Sequence, residues 1–284
     1  MASGAMAAEP SRYTAFHTTR QSPEPRLRPQ PAMTTRHFRL ASGLVMLVYL
    51  SQHLVTHMLG IHSLALAEDG LRLSIRVWQS ALGTAMLYGA FAIHFALALY
   101  TLYERRHWKL PVIEWIRLWA GFSLPLLLIG HAVGTRLAVA LYGIQPSYTR
   151  TIEGLIHAGS QGWQVALLAP GWVHGCLGLW LTLRHLPVFV RARKVLLVLM
   201  LAMPLLSAVG FVQMSREIES RGLPPVQLTA VNAERVAHLK DWRMALLGGY
   251  WLLLAAAVLA GRWHHGARRG PDDGDAEDPA KARA

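Results

Sequence analysis

The sequence predicts an all-α integral membrane protein with six transmembrane helices. Three observations carry this expectation. Of the 284 residues 53% are hydrophobic and only 15% charged, a low charge content for a soluble domain of this size. Six stretches, roughly 40–60, 78–103, 118–142, 163–184, 195–214 and 243–261, approach or exceed the ~20 apolar residues that a membrane-spanning helix needs. Basic residues gather beside these runs instead of spreading over the chain.

The first stretch begins LASGLVMLVYL and continues YLSQHLVTHMLG, so a lipid-soluble half is followed by two histidines. The other stretches are interrupted by Gly or Pro, which membrane helices tolerate. A soluble bundle is excluded because six such runs would expose too much apolar surface to water. Residues 1–36 are rich in Pro, Ser and Arg with no signal-peptide core and read as a disordered cytoplasmic tail. Residues 37–263 form the transmembrane domain, and 264–284 a second disordered cytoplasmic tail.

The basic groups are Arg36 and Arg39, then Arg105, Arg106, Lys109 and Arg117, then Arg184, Arg191, Arg193 and Lys194, then Arg262, Arg268 and Arg269. With six spans they all fall on one side. The positive-inside rule makes that side the cytoplasm, with both termini there, and the setting a bacterial inner membrane. The formal charge of +12 therefore points to membrane lipid and not to nucleic acid. A single cysteine, Cys176, excludes an intrachain disulfide and a multi-cysteine iron–sulfur site; it reads as a small packing residue. Spans three and five echo each other, SLPLLLIGHAVGTR against AMPLLSAVGFVQMSR, which hints at two three-helix halves. Trp108, Trp115, Trp119 and Tyr103 read as an aromatic belt. The connections 145–161 and 219–242 each read as a candidate short amphipathic helix capping the bundle.

Five histidines lie deep in the spans: His53 and His57 on span one, His94 on span two, His131 on span three and His174 on span four. Ionisable groups at such depth are costly and usually functional. His94 lies nine residues from Tyr103 and His174 ten from Arg184, whereas His131 and His53 each lie fourteen from Arg117 and Arg39. Depth therefore pairs His94 with His174, and His131 with His53 or His57. Paired imidazoles facing across a bundle at two levels fit six-coordinate b-type haem, giving a dihaem, cytochrome b-like four-helix core (helices 1–4) plus two further helices. His57 is preferred as the partner of His131 because it separates the two irons further; His53 matches His131 better in level. The unused ring is available to a quinone carbonyl or a propionate. Arg136, five residues past His131, could meet a haem propionate, a helix carbonyl or a lipid phosphate. Gly60, Gly89, Gly130, Gly134, Gly175 and Gly178 would let a porphyrin approach the backbone. Zinc at His53/His57 lacks a Cys or carboxylate to complete its shell, and a proton relay does not require two equal-depth pairs.

HFRLASGLVMLVYLSQHLVTHMLG, LGTAMLYGAFAIHFALALYTLYERR, LPLLLIGHAVGTRLAVALYG, WVHGCLGLWLTLR and MPLLSAVGFVQMSRE resemble the six-helix, succinate dehydrogenase/fumarate reductase cytochrome b-like membrane anchors of bacterial class III adenylate cyclases. The resemblance covers about residues 37–263 and rests on the order His-x-x-x-His, GHAVGTR, WVHGC. It implies redox or quinone sensing through haem, ahead of a cytoplasmic ferredoxin-like domain and a cyclase domain. Here the chain stops soon after span six and has no ferredoxin cysteines, so cyclase activity is expected on a separate partner. The rival expectations are a cytochrome b anchor of a respiratory quinone oxidoreductase, whose partner would be a flavoprotein with an iron–sulfur subunit, and a haem-free interaction or transport protein. A homodimer is compatible with all three.

Overall fold

The computed structural model describes residues 33–225 and 229–267. Residues 1–32 and 268–284, most of the two expected tails, lie outside the described residues. Nine α-helices are described, with no strand among the described residues: α1 (Met33–Leu59), α2 (Leu64–Trp78), α3 (Ala81–Tyr103), α4 (Val112–Ala132), α5 (Ala138–Tyr142), α6 (Tyr148–His157), α7 (Gln161–Leu183), α8 (Pro187–Ser220) and α9 (Ala230–Ala267). A π-helical segment, Val133–Leu137, joins α4 to α5 into one continuous span. Six of these helical stretches are long and apolar enough to cross a membrane. Large apolar side chains such as Leu201, Leu205, Leu252 and Leu259 face outward, as a chain solvated by lipid requires. Such helices satisfy their own backbone hydrogen bonds where no water can.

Local chemistry sets the joints. Ser63, Ser80 and Ser147 accept hydrogen bonds from the N–H groups of Leu66, Gly83 and Arg150 and so cap α2, α3 and α6. Gly143, at φ 64°, ends α5 in the left-handed region. At the elbow between α2 and α3 a side chain at Gly83 would collide with the Val77 carbonyl. Pro125, Pro170 and Pro204 sit inside helices, so the shared proline of the span-three and span-five echo is a helix-interior feature in both.

α1 packs on α3, α7 and α8; α4 packs on α7 and α9; and α9 also packs on α3. A closed circuit α1–α3–α9–α4–α7 results, with α8 outside it against α1 and α7. The crossing of α1 and α8 is close. A side chain at Gly210 would strike the His57 carbonyl, and one at Gly60 would strike Met214. Small residues at crossings are the usual means of close approach in membranes.

The side opposite the basic clusters is capped. α2 and α6 pack on each other and on α8 or α1, and Leu64, Ala67, Tyr148, Ile152, Phe211, Met214 and Ile218 form one buried cluster there. Glu68 on α2 accepts hydrogen bonds from the Thr149 N–H (2.9 Å), Thr149 Oγ1 (3.1 Å) and Ser147 Oγ (2.8 Å), which ties it to the start of α6. Glu217 on α8 accepts from the Leu64 N–H at 2.8 Å. The expected amphipathic helix in 145–161 is α6. The stretch 219–242 forms no separate helix among the described residues: 219–220 end α8 and 230–242 begin α9. Nothing between Ala230 and Trp242 breaks a helix, so the turn pattern runs straight on into the span. α2 is the element that sequence reading left unassigned, although Ser63 and the buried series Leu64, Ala67, Ser74 mark it.

Candidate functional site

Two imidazole couples cross the circuit. On the basic side, His94 of α3 and His174 of α7 have ring centres 6.0 Å apart with planes at 83°. His174 Nδ1 lies 2.8 Å from the Arg117 carbonyl. A carbonyl can only accept, so Nδ1 carries the proton and Nε2 keeps a bare lone pair. His94 Nδ1 lies 3.2 Å from Ser42 Oγ, whose own proton goes to the Phe38 carbonyl at 2.6 Å. Ser42 is then the acceptor, and His94 Nε2 is also bare. Gly121 makes this possible at His174, because a Cβ there would lie 2.6 Å from the ring. Gly43 lies against His94 in the same way, at an ordinary contact distance of 3.4 Å.

On the capped side, His53 of α1 and His131 of α4 have ring centres 6.0 Å apart with planes at 63°. His131 Nδ1 meets Gln164 Oε1 of α7 at 3.0 Å, which again leaves Nε2 free. Tyr49 stacks on His53 at 5.8 Å. His57, one turn on, is buried, and its Nε2 lies 3.3 Å from His53 Nε2. Its ring packs against Tyr148 at 5.2 Å and Phe211 at 6.3 Å. Among the described residues, His57 Nδ1 and the Tyr148 hydroxyl are both buried without a hydrogen-bond partner. His53 lies ten residues past Gly43 on α1, so the two levels are roughly 15 Å apart at about 1.5 Å per residue.

Arg136 sits in the π-helical segment. It donates to Thr84 Oγ1 at 3.2 Å and lies 6.0 Å over the Tyr88 ring, so its described partners are on α3. π-Bulges of this kind recur at functional sites. A cavity of about 300 Å³ opens on the capped side between His131, Gly134, Gln164, Arg150 and Leu239.

Both couples have the ring spacing that a six-coordinate haem would need, and the His94/His174 couple has the proton arrangement as well. An iron bonded to an imidazole nitrogen at about 2 Å on each side, as first-row metals are, holds its two ring centres about 6 Å apart. Three of the four rings donate Nδ1–H to an oxygen, the arrangement that fixes a ligating histidine's tautomer. Among the described residues no group of three or more His, Cys, Asp or Glu side chains is arranged to hold an ion. Haem asks the protein for two ligands only, since the porphyrin supplies four.

Sequence reading missed Ser42, Gln164 and the Arg117 carbonyl, because hydrogen-bond partners on other helices leave no spacing to count. The six glycines singled out from the sequence do not lie against histidine rings. Gly60 and Gly175 face Met214 and Leu47, Gly130 faces Arg243, and Gly89, Gly134 and Gly178 have open space where a side chain would be. The two glycines that touch histidine rings are Gly43 and Gly121. Trp108, Trp115 and Trp119 stack in sequence at 6.0 and 6.5 Å. Cys176 is a free, half-buried thiol packed near Leu54 and Trp172.

Among the described residues outside the spans, the surroundings of Glu68 and Tyr148 shift their titration. Burial pushes the Glu68 carboxyl upward, but its hydrogen bonds from Thr149, Ser147 and the Tyr148 backbone outweigh this and hold it below the usual range. Burial, with the nearby charge of Glu68, raises the Tyr148 hydroxyl. Comparison with family models, with characterised proteins and with solved structures finds no match to this chain.

Proposed function

We propose that this chain is a membrane-embedded b-type dihaem module for electron transfer or redox and quinone sensing. It is similar in kind to the cytochrome b-like anchors that its motifs resemble. The observation that carries the reading is the repetition of one geometry at two depths: imidazole couples spaced at 6.0 Å, with Nδ1 engaged on three of the four rings. His94 and His174 would hold one haem b on the basic side. His131 would hold the second on the capped side, and the same spacing supports His53 as its partner. His57 then remains for a quinone carbonyl.

Bound haem would supply one-electron chemistry at each level. The chain's own residues do the rest. The Arg117 carbonyl, Ser42 and Gln164 hold three of the four rings in one tautomer and orientation, with Nε2 aimed away from the hydrogen bond. The apolar helices surround both couples, with the cavity beside His131 left open on the capped side. The α2–α6 cap covers the second couple from its own side. By the positive-inside rule the basic side faces the cytoplasm of a bacterial cell, where a cyclase or an iron–sulfur/flavoprotein partner would exchange electrons or signal. A reduced-minus-oxidised difference spectrum of purified protein tests this. A b-type α-band is the expected result, and a colourless protein expressed with ample haem would overturn it.

A further inference from the structure

The capped-side end of α9 projects from the bundle. At about 1.5 Å per residue its 38 residues span roughly 57 Å, well past the ~30 Å hydrocarbon layer. From 229 to 246 every residue but Leu239 is exposed. Leu239 is half-buried and forms part of the wall of the cavity beside His131. Just past this head come Gly248 and Gly249, each with open space where a side chain would be. No close packing there asks for glycine, and such a pair inside a helix is a usual place for it to bend.

The head is tied to the bundle at Tyr142 on α5. His238 Nδ1 lies 2.7 Å from the Tyr142 hydroxyl, and Trp242 Nε1 donates to His238 Nε2 at 3.0 Å. An indole N–H can only donate, so His238 Nε2 is bare, and a neutral ring carries its proton on Nδ1 and gives it to Tyr142. Trp242 thus selects the tautomer that reaches across to α5. Arg235 lies 5.3 Å over the same Tyr142 ring, a second hold on that side chain. His238 precedes Leu239 directly, so the tie keeps Leu239 against the cavity. Both hydrogen bonds are exposed, and each is worth little where water can replace it.

We propose that residues 230–246 are a flap, hinged at Gly248 and Gly249 and held shut at Tyr142, whose opening moves Leu239 and admits a ligand to the cavity beside His131. α9 lends that cavity Leu239, while α4 to α7 supply its other walls. Those walls are anchored: α6 is tied by Glu68 and by its buried Tyr148 and Ile152. Leu239 instead stands in a stretch with no buried residue. The flap does not depend on the haem reading, since none of its parts touches either histidine couple's iron position.

The test is the rate at which N-ethylmaleimide labels Ala138→Cys in the purified full chain carrying Cys176→Ala. Ala138 is buried and lines the same cavity. Tyr142→Phe keeps the ring beneath Arg235 and loses only the hydroxyl. It should speed labelling roughly fivefold, the effect of one typical hydrogen bond on an equilibrium. His238→Ala should do at least as much. His238→Gln should do less, because its amide can still accept from Trp242 and donate to Tyr142. Alanine at both Gly248 and Gly249, for which there is room, should slow labelling. The native Cys176, which does not line the cavity, should keep its own labelling rate when Tyr142→Phe is made in the parent chain. A labelling rate at 138 that Tyr142→Phe leaves unchanged would overturn the flap. So would a rate that the two alanines leave unchanged, or a Tyr142→Phe effect that speeds Cys176 equally. The difference spectrum tests the haem separately.

Discussion

The two imidazole couples share a spacing and differ in their surroundings. At the basic side both rings have their Nδ1 atoms committed, to Ser42 and to the Arg117 carbonyl, and glycines let neighbouring backbone lie against each ring. At the capped side one ring is committed, His131 to Gln164. His53 shares its Nε2 with a neighbouring histidine, and unpartnered polar atoms lie next to it at His57 and Tyr148. The first couple has both rings fixed and no spare imidazole beside it. The second has three imidazoles for two positions and an adjoining cavity. A site that only carries electrons can be closed. A site that must also meet a diffusible redox partner needs spare polar groups and an opening, and the capped side has both.

The largest effects that would break this comparison are at the ligands. His94→Ala or His174→Ala should remove one of two haems and leave the other, read as the haem-to-protein ratio. At the capped side His53→Ala should remove the second haem, whereas His57→Ala should retain it. The reverse outcome would make His57 the partner of His131 and His53 the spare ring. A smaller effect is expected one layer out. Ser42→Ala should weaken the basic-side haem, and Gln164→Leu the capped-side haem, by roughly 10–100-fold in affinity, the usual size for a lost outer hydrogen bond. Haem titration of the apoprotein checks both. If Ser42→Ala instead loosened the capped-side haem, the assignment of levels would be wrong.

These residues also mark how far the sequence could be read. The six spans were legible because about 20 apolar residues in a row have few alternatives. The pairing of His94 with His174 was legible because depth along a helix is a count of residues from a charged end. The choice between His53 and His57 was not. One turn of helix changes depth by only about 5 Å, and what separates the two rings is rotation toward α4 or toward Tyr148 and Phe211. Gly121 and Gly43 were invisible for a similar reason: only the arrangement of the four helices shows which glycine meets a ring. α2 and the long continuation of α9 were missed because amphipathic helices next to spans carry a weak signal.

The smallest expected effect lies in the cap. Glu68→Gln should loosen α6 by about 1 kcal/mol, the typical cost of losing a helix cap. The sign with pH follows from the depressed Glu68 pKa. The carboxylate's contribution is present above the unfolded carboxylate range and is lost as pH falls through its lower folded value. Acid should therefore expose the 143–160 region of the wild type to proteolysis, and the Gln variant should show less change between neutral and acid pH. Equal acid sensitivity in both proteins would place the effect elsewhere.

The most direct measurement is the number of haems per chain, quantified on detergent-purified protein after expression with added haem. Two b-type haems per chain are expected, falling to one in His94→Ala. A chain that folds into the membrane and binds none would contradict the assignment of iron to the two histidine couples.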